Sequence, residues 1–221
     1  MLPVAAACAC AGIVVGIINL TGLGLKFTSL ILFIAGDSLA PALIFTMIAG
    51  IILGMGLPTT AAYIVQAALL IPALIKLGVP VIAAHLFVFY FAIISAITPP
   101  VAMAVYAAAG ISGSNIWKTG ISALKIGATG FIVPFMFVYG PSLLIIGKPV
   151  SIVTTILSAS IGVVLLSAGL MGWFLREAKG MERVMLIGGA LFLIKPGLET
   201  DLIGLVLLVS VILIQTYRSR T

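Results

Sequence analysis

What limits this chain most is how far it runs without charge. From Val4 to Gln215, apolar runs of span length follow one another, and Lys, Arg, Asp and Glu fall mainly in the gaps between them. About 20 apolar residues in a helix cross the roughly 30 Å of hydrocarbon in a bilayer. No water-soluble domain has a core large enough to hide such a surface, since 63% of the 221 residues are hydrophobic, 7% are charged and the mean hydropathy is +1.40. The chain reads as an integral membrane protein in which the backbone must satisfy its own hydrogen bonds, hence as an all-α, polytopic bundle.

That solvent removes several function classes. The net charge of +6 comes from eleven Lys and Arg scattered at the ends of apolar runs, where cations anchor spans at the interface. No nucleic acid is expected as a partner; the lipid bilayer is. Cys8 and Cys10 stand two apart in an apolar run with no His or second Cys pair nearby, and read as packing rather than a disulfide or metal site. The spans hold no carboxylate pair, no His pair and no HExxH, so the chain is not expected to be an enzyme or to carry a cofactor.

Segments follow from the apolar periodicity. A first span is expected over Val4 to Leu25, rich in small residues and closed by Lys26. A shorter run, Thr28 to Ala35, stops at Gly36. Asp37 and Ser38 are expected to cap a helix with Pro41 in its first turn, running through ALIFTMIAGIILGM to Met55. Another helix follows from Thr59 to Gly78, with Lys76 at its interfacial end. Val79 to Ile97 is long enough to cross most of the membrane, and VAMAVYAAAGI resumes after Pro100. The segment SGSNIWKTGISALKIGATG carries Trp117, Lys118 and Lys125 among apolar residues at helical spacing, as a helix lying in the interface does; an exposed connector is the alternative. Further spans are expected at Phe131 to Ile146 and Ser151 to Leu175. Val184 to Ile194 and Leu202 to Gln215 are expected to form a hairpin about the turn KPG, with Glu199, Thr200 and Asp201 in a capping first turn. Met1 leads into the first span without the charged opening of a signal peptide, so the chain is expected to start inside a larger design.

Two places break the pattern at depths where lipid offers the backbone nothing. GMGLPTTAAY, Gly54 to Tyr63, puts two glycines and a proline inside an apolar region, and Thr98, Pro99 and Pro100 interrupt the next. Irregular backbone inside a membrane is tolerated where it is buried in protein or lines a watery cavity, and in secondary transporters such breaks face ions and substrate. Gly54 and Gly56 permit unusual dihedrals, Pro58 removes a donor, and Thr59 and Thr60 offer hydroxyls. Ser95, Thr98 and the carbonyls freed by Pro99 and Pro100 would face them. Hydroxyls and carbonyls are hard ligands, which makes Thr60 and Thr98 candidates for holding a small cation. Plain kinks in buried helices are the competing explanation. Tyr63 and Gln66, one turn apart, either look into this site or bond between helices. His85, the single histidine, reads as interfacial, with proton coupling as the alternative. Asn19 and Thr21 read as helix glue.

The blocks ILGMGLPTTAAYIV, LLIPALIKLGVP and ISAITPPVAMAVYAAAGISG, in that order and spacing, resemble the large permease subunit of tripartite ATP-independent periplasmic (TRAP) transporters, most of all the fused permeases of the TAXI branch. The likeness covers roughly Met1 to Ile146, and PGLETDLIGLVLL is similar to that branch's C-terminal extension. It implies half of an elevator-type transporter, with a re-entrant helical hairpin tipped at Gly54 to Thr60 and a broken transmembrane helix at Ser95 to Pro100. Residues 1–147 would be the second permease repeat and 148–221 a C-terminal transmembrane extension. The implied activity is sodium-coupled uptake of an organic acid, with sodium as the coupling ion. The implied partners are a periplasmic solute-binding protein, the first permease repeat and a small membrane subunit, fused or separate. The implied place is a bacterial or archaeal cytoplasmic (inner) membrane. Family members with dicarboxylate or sialic acid substrates often carry an acid near the tip, where this chain has Pro58 and Thr59. The rival to transport is a non-transporting scaffold or accessory subunit. If the C-terminal tail with Arg218 and Arg220 is cytoplasmic, counting back span by span puts Arg176, Lys179, Arg183, Lys118 and Lys125 inside and Lys148 and Lys76 outside, a mild bias of Lys and Arg in the expected direction.

Overall fold

A computed structural model describes residues 2–36, 38–194 and 197–217. Eleven α-helices are formed among them: α1 Leu2–Thr21, α2 Leu23–Ala35, α3 Leu39–Gly54, α4 Thr59–Lys76, α5 Val81–Ile94, α6 Met103–Ser112, α7 Ile116–Gly127, α8 Val133–Tyr139, α9 Pro149–Met171, α10 Gly180–Ile194 and α11 Leu198–Tyr217. The described residues contain no strand, only a bridge between Trp173 and Glu177. The all-α, polytopic membrane fold is therefore as expected. Among the described residues four stretches are long and apolar enough to cross a bilayer, Thr59–Lys76, Ile116–Tyr139, Pro149–Met171 and Glu199–Tyr217, and the bent pair α1 and α2 would make a fifth if it counts as one span. The chain divides into two compact units, Met1–Gly127 and Ala128–Thr221.

In the first unit α4 is the hub, with α1, α2, α3 and α5 packed on it and α3 also on α5. Its core is mainly apolar: Leu43, Leu70, Leu74, Phe87, Val88 and Phe91 are fully buried, and Phe87 and Phe91 meet edge to face at 4.9 Å. One expectation fails here. The first span does not run on to Lys26, because the chain turns by 74° at Gly22 and Lys26 lies inside α2. Gly22 takes φ 67, a left-handed conformation that costs a residue without Cβ little and stops a helix. Ser38 occupies the cap position of α3 but makes no side-chain cap bond, while Asp37 lies outside the described residues.

Two expectations shift after residue 112. The segment read as an interfacial helix, α7, belongs to the apolar stretch Ile116–Tyr139, which is long enough to span. Asn115 begins it, its Oδ1 accepting from the Trp117 and Lys118 amides at 3.0 and 3.3 Å. The helix expected from Phe131 to Ile146 is instead interrupted, since α8 ends at Tyr139, Gly140 leaves helical geometry and Ile145 stands at φ 62.

In the second unit α10 packs against both α9 and α11 around Leu165, Leu166, Leu186, Leu193 and Val211. Small residues set the spacing: a Cβ at Gly162 would lie 3.2 Å from the Ala190 carbonyl, and one at Gly189 3.3 Å from that of Gly204. Polar side chains close one end. Glu182, almost fully buried, accepts from the Lys179 amide at 3.2 Å and from Gln215 Nε2 at 2.8 Å, while Gln215 Oε1 accepts from the Leu175 amide at 3.2 Å. Arg183 donates to the carbonyls of Gly169 and Leu170, the end of α9, at 3.0 and 2.9 Å. In the first turn of α11 the Thr200 hydroxyl donates to the Gly197 carbonyl at 2.8 Å, and Lys195 and Pro196 of the turn KPG lie outside the described residues.

Candidate functional site

The first break is a turn between two packed helices. α3 stops at Gly54; Met55 is extended, Gly56 takes φ 77, and Pro58, extended, starts α4 at Thr59. The Leu57 amide donates to the Gly54 carbonyl at 3.3 Å and Ala62 to Pro58 at 2.9 Å, so the turn closes on its own backbone. Pro58, with no N–H to lose, suits the place where the helix restarts. Thr59 is half-buried and Thr60 exposed.

The second break is longer. α5 ends at Ile94, a 3₁₀ turn covers Ser95–Ile97, Thr98 is extended, and α6 begins only at Met103 after a cis Pro99–Pro100 bond. Side chains take up the loose ends. Ser95 Oγ donates to the Ala92 carbonyl at 2.7 Å, Thr98 Oγ1 to that of Ile94 at 2.9 Å, and the Tyr106 hydroxyl to that of Pro100 at 3.1 Å. Ser95 and Thr98 thus spend their protons inward, which leaves oxygen lone pairs as what they can still offer. A cavity of about 200 Å³ lies beside this break, with Pro99, Pro100, Tyr106, Asn115 and Trp117 in its wall.

The two breaks touch. A Cβ at Gly54 would sit 2.8 Å from Ser95 Cβ and 2.8 Å from Gln66 Nε2, and nearer still to Ser95 Oγ; a Cβ at Gly56 would be 3.4 Å from Val101 Cγ1. Only a residue without a side chain lets the end of α3 lie on the end of α5 this closely. Gln66 belongs to α4, yet a helical side chain leans toward its own N-terminus, which carries the carboxamide back toward the tip. It is wholly buried, and neither Oε1 nor Nε2 has a hydrogen-bond partner among the described residues.

Of the expected site residues, Gly54, Gln66 and Ser95 meet directly. Gly56, Pro58, Thr59 and Thr60 form the turn, and Thr98, Pro99 and Pro100 the facing break. Tyr63 turns elsewhere: its hydroxyl is 2.6 Å from His85 Nδ1 on α5, and its ring meets Phe89 edge to face at 5.4 Å. It bonds between helices, the other role left open for it. Thr46 was not foreseen. Its hydroxyl is buried on α3 with no partner among the described residues, and the i, i+4, i+8 series Thr46, Gly50, Gly54 is the signal that marks this face. Among the described residues no group of three His, Cys, Asp or Glu could hold a metal ion, and Cys8 and Cys10 are free thiols.

Comparison with known proteins gives a family for most of the chain. Residues 1–152 match the family model described as tripartite ATP-independent periplasmic transporter, DctM component. Residues 152–204 match a domain of unknown function, DUF3394. No curated protein and no solved structure matches the chain.

Proposed function

This chain belongs to the tripartite ATP-independent periplasmic transporter family as its DctM component, a multi-pass membrane permease, and from that premise we propose that it couples sodium entry to uptake of an organic acid. The acid is handed over by a periplasmic solute-binding protein, and the membrane is a bacterial or archaeal inner membrane. A small membrane subunit and a first permease repeat complete the machine. Residues 1–147 form one repeat, with α3 and α4 as a re-entrant hairpin and α5 and α6 as the halves of a broken crossing helix; residues 148–221 are an extension.

The observation that carries this reading is the contact of Gly54 with Ser95. Two interruptions far apart in sequence lie against each other in a membrane permease, and breaks of this kind are where secondary transporters present carbonyls and hydroxyls to an ion or acid. Thr60 stands in the first break and Thr98 in the second, and they would bind sodium through their oxygens, while Gly56, Pro58, Thr59, Pro99 and Pro100 shape the backbone of the two breaks.

Uptake by proteoliposomes tests it. With the full-length permease and its binding protein, flux should rise with external sodium. Thr98→Ala or Thr60→Ala should need at least about tenfold more sodium for half-maximal flux, in line with the loss of one contact to a charged group. Thr154→Ala, whose hydroxyl donates only to its own helix at Val150 and Ser151, should behave as the parent. Flux indifferent to sodium removes sodium coupling, and no flux with any acid supports a scaffold role instead.

A further inference from the structure

Among the described residues, Gln66 is buried with neither polar atom of its side chain partnered. Several helical threonines return their hydroxyl to a carbonyl of their own helix, as Thr21, Thr28 and Thr154 do. Gln66 has no such way out, and its carboxamide is sealed between α3, α4 and α5. Nε2 lies against Gly54, while Oε1 lies 3.3 Å from where a Gly50 Cβ would stand. A half-turn about the last side-chain bond exchanges the two, so oxygen can be presented on either side. A buried amide left unpaired weakens a fold, and such a group is kept where it meets something other than the resting protein.

The surroundings say what that something is. Two helix C-termini meet at this point, α3 ending at Gly54 and α5 at Ile94 with Ser95 following, and each brings the negative end of its dipole. Ser95 Oγ has given its proton to Ala92 and offers lone pairs. Gln66 is fully buried, so whatever meets its carboxamide has left bulk water behind. Negative dipole ends and hard neutral oxygens favour a small monovalent cation over an anion or a bulky acid.

We propose that the Gln66 carboxamide oxygen, together with Ser95 Oγ, is a ligand of the coupling cation on the inner side of the Gly54 turn. This rests on the sodium-coupled reading above and adds to it a ligand that the threonines at the breaks do not supply. The cation would tie α4 to the ends of α3 and α5, so that binding also locks the hairpin to the broken helix.

Thermal unfolding of the purified full-length permease in sodium chloride, with potassium chloride as the reference, tests this. The parent should be stabilised by sodium and not by potassium. Gln66→Met, close in shape and without polar atoms, should unfold no earlier than the parent in potassium, and its half-saturating sodium concentration should rise at least about tenfold, the effect of one lost contact to a charge. Gln66→Glu, which keeps the oxygen, should retain the sodium response. If Q66M does not fold, Q66E decides: a sodium response supports the proposal and its absence overturns it. A parental sodium response in Q66M overturns the proposal while leaving sodium coupling standing. A parent indifferent to sodium overturns both.

Discussion

At Gly54 one hydrogen in place of a methyl group decides whether three helices can close. Gly54→Ala would drive a Cβ into Ser95 and Gln66, neither of which is the loose end of a mobile chain, and should cost about 1–3 kcal/mol through overpacking. Gly12→Ala makes the matched control, because nothing lies within 4 Å of the new Cβ in the middle of α1; the exchange should stabilise by about 0.5–1 kcal/mol. Unfolding temperatures of both variants, read beside uptake, check the pair: equal stability would mean that the breaks do not press on each other. The glycines and prolines of the site could be read from the sequence because their steric rules act locally. The partnerless state of Gln66 and the pairing of Tyr63 with His85 could not, since both depend on what a second helix places opposite.

Helices show the same division. The stops at Gly54 and Ser95 to Pro100 were legible, as proline removes a donor wherever it stands. The bend at Gly22 was not: a lone glycine among apolar residues is common in membrane helices, and only the packing of α1 and α2 on α4 selects its left-handed form. Gly140 hid in the same way. The joints of α9, α10 and α11 were also beyond reach, because Glu182 and Gln215 are 33 residues apart. Glu182→Ala would leave the Gln215 amide and the Lys179 N–H short of the acceptor they share. The expected loss is about 1–3 kcal/mol, with Glu182→Gln falling between the two because it keeps one oxygen. Denaturation monitored at Trp173, on the turn between α9 and α10, would report it; an unchanged midpoint in the alanine variant would show the clasp to be dispensable.

For the molecule as a whole the question is which side faces in. α9 has 23 residues, enough at about 1.5 Å each to cross the hydrocarbon, so Lys148 before it and Lys179 beyond it should lie on opposite sides. If the C-terminal tail is cytoplasmic, the distribution of Lys and Arg leads one to expect Lys179 on the cytoplasmic side. Single cysteines at Lys76 and Lys148, in a background without Cys8 and Cys10, should therefore react with an impermeant maleimide added outside, and one at Lys179 should not. The reverse pattern would invert the hairpin. The chain also carries its own reporter. His85 is the one histidine in 221 residues, and its ring stands 2.6 Å from the Tyr63 hydroxyl where α4 meets α5. Nitrogen-15 histidine would therefore give a single pair of imidazole resonances free of overlap, and their chemical shifts would follow the hairpin's second limb as it parts from or stays with its neighbour during a turnover.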